Sequence, residues 1–132
     1  MPRRLTLVLA LAVCMSGCGD DGPQGSPEQT VRDFVEATNK RDAGRFCDEL
    51  VTQQYLERST GAKGDAALRA CRTDFKALRG LRLKLIKIRA AKVEGERATV
   101  RAELEANGTR QVQLLRLREI DGRWKLAGGS GS

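Results

Sequence analysis

The sequence predicts an α+β domain in which N-terminal helices pack on one face of a four-stranded antiparallel sheet. Apolar residues recur at helical spacing in the first half of the chain and alternate with polar residues in the second half. Three turn signals, Glu94-Gly95, Asn107-Gly108 and Asp121-Gly122, divide the second half into the four strands of a meander. Because 132 residues suffice for one domain only, we expect a single domain at 27–128 and a flexible tail at 129–132.

The first helix has a strong N-terminal signal. Ser26 can cap it, Pro27 suits the first helical position, and Gln29 completes a capping box. The sequence Asn39-Lys40-Arg41 is expected to end it. Its buried stripe is predicted to contain Val31, Phe34, Val35 and Thr38.

Two further helices are predicted before the sheet. Asp42 can cap a second helix that runs through Val51 and continues more loosely to Leu56. After a loop that contains two glycines, Asp65 can cap a third helix, for which Gly80 is the stop signal. The helices therefore alternate with short connections, as expected for one layer of a small domain.

The strands are predicted from period-two alternation. Ile86 breaks the alternation of the first strand, and Leu115 breaks that of the third, which indicates two bulges or local twists. The first three strands are expected to direct Leu83, Leu85, Val100, Leu104, Val112 and Leu114 towards the helices. Trp124 and Leu126 are expected to face inward from the last strand. This predicted inner face is entirely apolar.

The N-terminus has the pattern of an export signal. Residues 1–18 read MPRRLTLVLALAVCMSGC, with a positive start at Arg3 and Arg4 and an apolar run of 11 residues at Leu5–Met15. That run is too short for the ~30 Å hydrocarbon core of a bilayer, which needs about 20 residues. We therefore expect a signal peptide at 1–17; an ordinary buried N-terminal helix is the alternative.

The segment MSGC resembles the lipobox of bacterial lipoproteins. The resemblance implies cleavage before Cys18, lipid on that cysteine, and attachment to the extracytoplasmic face of a bacterial cell membrane. The rival site is Cys14, but Val13 before it is bulkier than the signal peptidase tolerates well. Residues 18–26 are small and polar, which is typical of a flexible tether.

Cys47 and Cys71 are predicted to form a disulfide. They are an even pair in an exported chain, and each lies on the apolar stripe of its own helix. Closing a loop of about 25 residues should stabilise the domain by roughly 3 kcal/mol. Buried free thiols or a redox or metal-binding pair are the alternatives, although the CxxC spacing and supporting histidines are absent.

The charge is moderately basic. The formal charge of +7 falls to +5 when Arg3 and Arg4 leave with the signal peptide. Acidic and basic residues are interleaved, and the abundance of Arg, Ala, Gly and Leu is typical of a GC-rich genome. The sequence has no histidine, which removes the usual acid–base group at neutral pH and the commonest metal ligand. We expect no metal and no cofactor.

The segments PEQTVRDFVEATNKRDAGRFCDEL and DGRWKLAGG, with a helix and a meander between them, resemble small exported members of the nuclear transport factor two-like superfamily. The resemblance covers about 27–128. It implies a cone-shaped domain whose curved sheet wraps the helices and leaves an apolar pocket. The predicted bulges fit such bending.

The same resemblance does not name a function, because the superfamily contains enzymes, transport factors and binding modules. Its catalytic members use an Asp or a His, often with a Tyr, inside the cone. Here Tyr55 is expected on an outer helix turn, and Asp33 and Asp74 are expected on solvated helix faces. We therefore predict no catalytic residues and a non-enzymatic accessory domain that binds a small apolar molecule or an envelope protein.

Two other functions remain open. A basic outer sheet face could bind anionic lipid or wall polymer, although Glu103 and Glu105 can neutralise part of it. The residues of that face would be Arg82, Lys84, Arg101, Arg116 and Arg118. A structural role, with a homodimer formed through the sheet, is the second. Nucleic acid is not expected as a partner, because one Trp and one Tyr provide no stacking series.

Overall fold

The computed structural model describes residues 25–131 and confirms the α+β class. Its helices are α1 Pro27–Asn39, a π-helix Arg45–Leu50, α2 Gln53–Thr60 and α3 Gly64–Ala77. Its strands are β1 Leu83–Glu94, β2 Arg97–Ala106, β3 Thr109–Ile120 and β4 Arg123–Gly131, in the order β1-β2-β3-β4. Within these residues no helix is long and apolar enough to cross a membrane. The predicted signal peptide, Cys18 and most of the predicted tether lie outside the described residues.

Helix α1 begins as the sequence predicts, because the Ser26 hydroxyl accepts a hydrogen bond from the Gln29 backbone N–H at 3.1 Å. The cap predicted for α3 at Asp65 is two residues too late. Lys63, which makes no side-chain capping bond, is its N-cap, and Asp65 lies inside the first turn. There the Asp65 carboxylate still interacts favourably with the positive end of the helix dipole.

The second predicted helix is broken into two. Val51 is extended and forms an isolated parallel bridge with Leu126, and the Thr52 N–H donates to the Leu126 carbonyl at 2.9 Å. The Thr52 hydroxyl then caps α2 by accepting from the Tyr55 N–H at 3.1 Å. Two adjacent β-branched residues favour extended backbone, and here they add to the free edge of β4 instead of continuing the helix.

The sheet register confirms the three turns and corrects one strand. Strand β1 has register shifts between Leu85 and Lys87 and between Ile88 and Ala90, so the predicted irregularity at Ile86 is present. Strand β3 pairs with β2 without any shift, so the slip predicted at Leu115 is wrong. The irregularity lies instead on β4. Arg116 pairs with Gly128 and Leu117 pairs with Leu126, so Ala127 has no partner residue on β3.

That register also corrects the inner face of β3. Residues directly opposite each other on antiparallel strands lie on the same face. Buried Val100 pairs with Leu115, so Leu115 faces the core, whereas Leu114 pairs with Arg101. Val112 pairs with Glu103. Val112 and Leu114 therefore lie on the outer face, contrary to the prediction.

The core lies between the helices and the inner sheet face. The predicted disulfide joins Cys47 of the π-helix to Cys71 of α3, with their Cα atoms 6.0 Å apart and both side chains buried. Phe46 stacks between Phe34 and Phe75, at ring-centroid distances of 5.4 and 4.8 Å. Helix α3 ends at Ala77, and Leu78, which follows it, is 47% exposed.

The predicted flexible tail is also corrected. Strand β4 continues through Gly131, and its last residues pair with the middle of β3 up to Gln113. The Gly-rich sequence predicts a tail because glycines carry no side chain to bury. The β3 backbone has donors and acceptors on that side, however, and pairing them needs no side chain from the partner strand.

Candidate functional site

The outer sheet face carries a row of cations at one end of the sheet. Arg97 of β2 is directly opposite Arg118 of β3, and Arg118 is directly opposite Lys125 of β4. Like charges directly opposite each other on neighbouring strands are destabilising. Three cations in one row are therefore not explained by folding stability, and such local conflicts are typical of functional sites.

The adjacent row of the outer face lies beside a side chain from helix α2. Thr99, Arg116 and Gly128 pair across β2, β3 and β4 on the outer face. A Cβ atom placed on Gly128 would lie 3.9 Å from the Nη2 atom of Arg58, so the Arg58 guanidinium of α2 lies over this glycine. Arg58 is held there by donating to the Ala127 carbonyl at 2.7 Å. The Arg58 side chain of α2 thus reaches around the β4 edge to the outer face.

A groove of about 610 Å³ lies between α2 and these two rows. Helix α2 lines it with Gln54, Tyr55, Arg58 and Ser59. The sheet lines it with Glu94, Arg97, Ala98, Thr99, Arg116, Leu117, Arg118, Ala127, Gly128 and Gly129. The lining combines small apolar and backbone surfaces with guanidinium groups, so it suits a molecule that has both an apolar and an anionic part.

The arginines of the groove differ in their pairing from Arg89 and Arg110 of the same sheet. Arg89 pairs with Glu103 at 3.2 Å, and Arg110 pairs with Glu105 at 3.4 Å. In residues 25–131, the groove residues Arg97, Arg116 and Arg118 make no ion pair, so Glu103 and Glu105 neutralise only the other end of the outer face. Of the basic face expected from the sequence, Arg116 and Arg118 line the groove, whereas Arg101, opposite Ala90 and Leu114 on the same outer face, lies outside it.

Glu94 is the carboxylate on the groove wall. The Lys92 ammonium, 2.9 Å from its Oε1 atom, lowers the pKa of Glu94 by a side-chain hydrogen bond and by its charge, and Glu94 in turn raises the pKa of Lys92. The Glu94 carboxylate is therefore ionised at neutral pH and already has a cationic partner. It leaves the positive charge of the groove arginines largely uncompensated.

A smaller cavity of about 260 Å³ lies on the inner side of the sheet. Phe34, Phe46, Leu115 and Leu126 provide much of its apolar lining, and Tyr55 and Gln113 add polar groups. The expectation of an entirely apolar inner face is thus wrong at Gln113, which is opposite buried Ala102. Tyr55 lines both cavities and is half-buried, not placed on an outer helix turn as predicted.

The two candidate acids lie elsewhere. Asp33 accepts a hydrogen bond from Gln29 Nε2 at 2.9 Å and pairs with Arg45 at 3.3 Å, and Asp74 is exposed on α3. Among the described residues no three metal-binding side chains converge. The sequence reading missed Arg58 and Arg97, although the Asn107-Gly108 turn fixes the register that places Arg97 opposite Arg118.

Comparison with solved structures supports the fold. The chain is similar to a de novo designed protein with a curved β-sheet, with a TM-score of 0.54, 15% identity, and coverage of 80% of this chain and 98% of that one. It is also similar to an NTF2-like protein of unknown function from Cytophaga hutchinsonii, with a TM-score of 0.51, 12% identity, and coverage of 83% and 92%. The domain therefore has an NTF2-like fold. No family model and no curated protein matches the sequence.

Proposed function

We propose that this chain is a lipoprotein of the bacterial envelope whose domain binds, without chemically changing it, a small ligand that has an apolar body and an anionic group. Lipid on Cys18 holds the domain at the extracytoplasmic face of the membrane. The observation that carries the proposal is the groove between α2 and the outer sheet face, with its unpaired Arg97, Arg116 and Arg118.

The groove favours binding over catalysis because of its chemistry. Arginine stays protonated at all physiological pH values, so it can hold an anion but is a poor proton carrier. The Ser59 hydroxyl donates to the Leu56 carbonyl at 3.3 Å, and no base of the described chain lies beside it. A nucleophile with a neighbouring base, the minimum for acyl or phosphoryl transfer, is therefore not assembled there.

Calorimetry with eight-carbon ligands tests the binding proposal. We expect the purified full chain to bind octanoate or octyl phosphate and to bind neutral octanol much more weakly. Gly128→Val should block the groove, since a larger side chain there meets Arg58, and Arg116→Gln should weaken anion binding about tenfold, the loss of one charge-assisted contact. Arg110→Gln is the control, because it removes a paired arginine from the same strand. Equal binding of octanol and the anions would refute the proposal.

Intact-mass analysis of the membrane fraction tests the anchor. A mature N-terminus at Cys18 carrying lipid is expected, and Cys18→Ser should abolish both processing and lipid labelling. Cys14→Ser is the matched control and should leave both unchanged. A soluble product that still begins at Met1 would contradict the lipoprotein proposal without affecting the groove.

A basic surface for lipid bilayers or wall polymer is the second candidate. The cationic row favours it, but the ion pairs of Glu103 and Glu105 neutralise part of the outer face. Binding to anionic vesicles should weaken strongly between low and high salt if this surface acts alone. The third candidate, a homodimer through the sheet, predicts a doubled mass in light scattering, and a strictly monomeric mass would exclude it.

A further inference from the structure

We infer that the anionic group held in the groove is a phosphoryl group, bound jointly by Arg97, Arg116 and Arg118. This inference rests on the proposed function and specifies its ligand. Arg97 and Arg118 are directly opposite each other, and Arg116 lies two residues from Arg118 on the same face. Neighbouring strands are about 4.8 Å apart and alternate residues about 6.8 Å apart, so three long guanidinium side chains can converge on one group.

Charge distinguishes a phosphoryl group from a carboxylate. Three guanidinium groups lie here without ion-pair partners in the described chain, and Glu94 is already paired with Lys92. A carboxylate supplies one negative charge and two oxygens. A phosphate monoester supplies about 1.5 to 2 negative charges and three strong acceptor oxygens. Each oxygen can then receive a charge-assisted bond from a separate arginine.

The remaining walls define the rest of the ligand. Arg58 is already committed to the Ala127 carbonyl, so it adds positive charge beside the phosphoryl group instead of a free donor fork. The Tyr55 ring lines the groove with apolar surface that can contact an organic substituent. A phosphate ester with an apolar substituent therefore fits the groove better than inorganic phosphate.

The test compares four probes on the purified full chain by calorimetry: octyl phosphate, octanoate, glycerol 3-phosphate and inorganic phosphate. We expect octyl phosphate to bind at least about tenfold more tightly than octanoate, which corresponds to one extra charge-assisted contact. Arg118→Gln should remove that preference. Arg118→Lys should reduce it, because lysine keeps the charge but lacks the planar fork. Arg110→Gln should leave it unchanged, and thermal unfolding should verify that every variant is folded.

Vesicles distinguish the two sources of such a group. Phosphatidylcholine vesicles with phosphatidic acid, a phosphate monoester, that bind the chain through Arg118 would support the inference and identify a phospholipid headgroup. Binding of octyl phosphate alone would support it and identify a soluble ester. If octanoate and octyl phosphate bind equally, the inference is overturned while the proposed function stands. If neither anion binds, both fail.

Discussion

Replacing Arg118 with glutamine should weaken ligand binding and also stabilise the folded domain. Arg118 lies between Arg97 and Lys125 in one row across three strands, so it makes two like-charge pairs. A like-charge pair of this kind costs about 0.2–1 kcal/mol. Removing both should therefore raise the free energy of unfolding by about 0.4–2 kcal/mol at low ionic strength.

Urea denaturation at two salt concentrations measures this effect. The gain should largely disappear in about 1 M salt, where the Debye length is about 3 Å and the repulsion is screened. The control Arg110→Gln breaks the exposed pair with Glu105 and should cost between about 0 and 1 kcal/mol. If Arg118→Gln lowers the free energy of unfolding at both salt concentrations, then Arg118 contributes to folding, and our reading of the row as a binding feature is wrong.

Three further predictions concern the core, the β4 backbone and pH. The double variant Cys47→Ala/Cys71→Ala should lower the free energy of unfolding by about 3.5 kcal/mol, because the bond closes a loop with a sequence separation of 24. The reduced wild-type protein should match this variant in thermal unfolding. Gly129→Ala should cost about 1 kcal/mol in urea titrations, because its Cβ would lie 3.2 Å from Leu115 Cδ2, whereas Gly128→Ala should be nearly neutral. Octyl phosphate should bind more tightly as pH rises from about 5 to 7.5, because its second ionisation lies near pH 6. Over this range the arginines stay charged, and the lowered pKa of Glu94 keeps that carboxylate ionised. A flat pH profile in calorimetry would exclude the dianion as the bound form.

The sequence predicts the inner face of β2 because apolar and polar residues alternate along this strand in only one way. On β3, either of the two alternating sets could face the core. Val112 and Leu114 belong to one set and Leu115 and Leu117 to the other, and all four are apolar, so alternation alone cannot decide between the sets. The Asn107-Gly108 turn resolves the choice: a two-residue turn there places Ala106 opposite Thr109 and therefore Val100 opposite Leu115. Turn geometry fixes the register of this hairpin more reliably than hydrophobic composition.

The break at Val51 could not be predicted from local sequence. Residues 45–56 contain no glycine and no proline. A helix that continues through Val51 is therefore the local expectation. What ends the π-helix is a partner more than 70 residues away, the free edge of β4 at Leu126. The β-branched pair Val51-Thr52 favours extended backbone, but the hydrogen bonding to Leu126 is what ends the helix there, and the same contact determines where α2 begins.

That contact also connects the core to the groove. The disulfide fixes the π-helix against α3, and the π-helix ends one residue before Val51. The bridge at Val51 positions the Thr52 cap, and the helix capped there carries Arg58 to the outer face. Because each of these steps depends on the previous one, loss of the disulfide should disturb the groove wall as well as the core. A site built in this way is best suited to an oxidising compartment, where the bond persists, which agrees with the export proposed from Cys18.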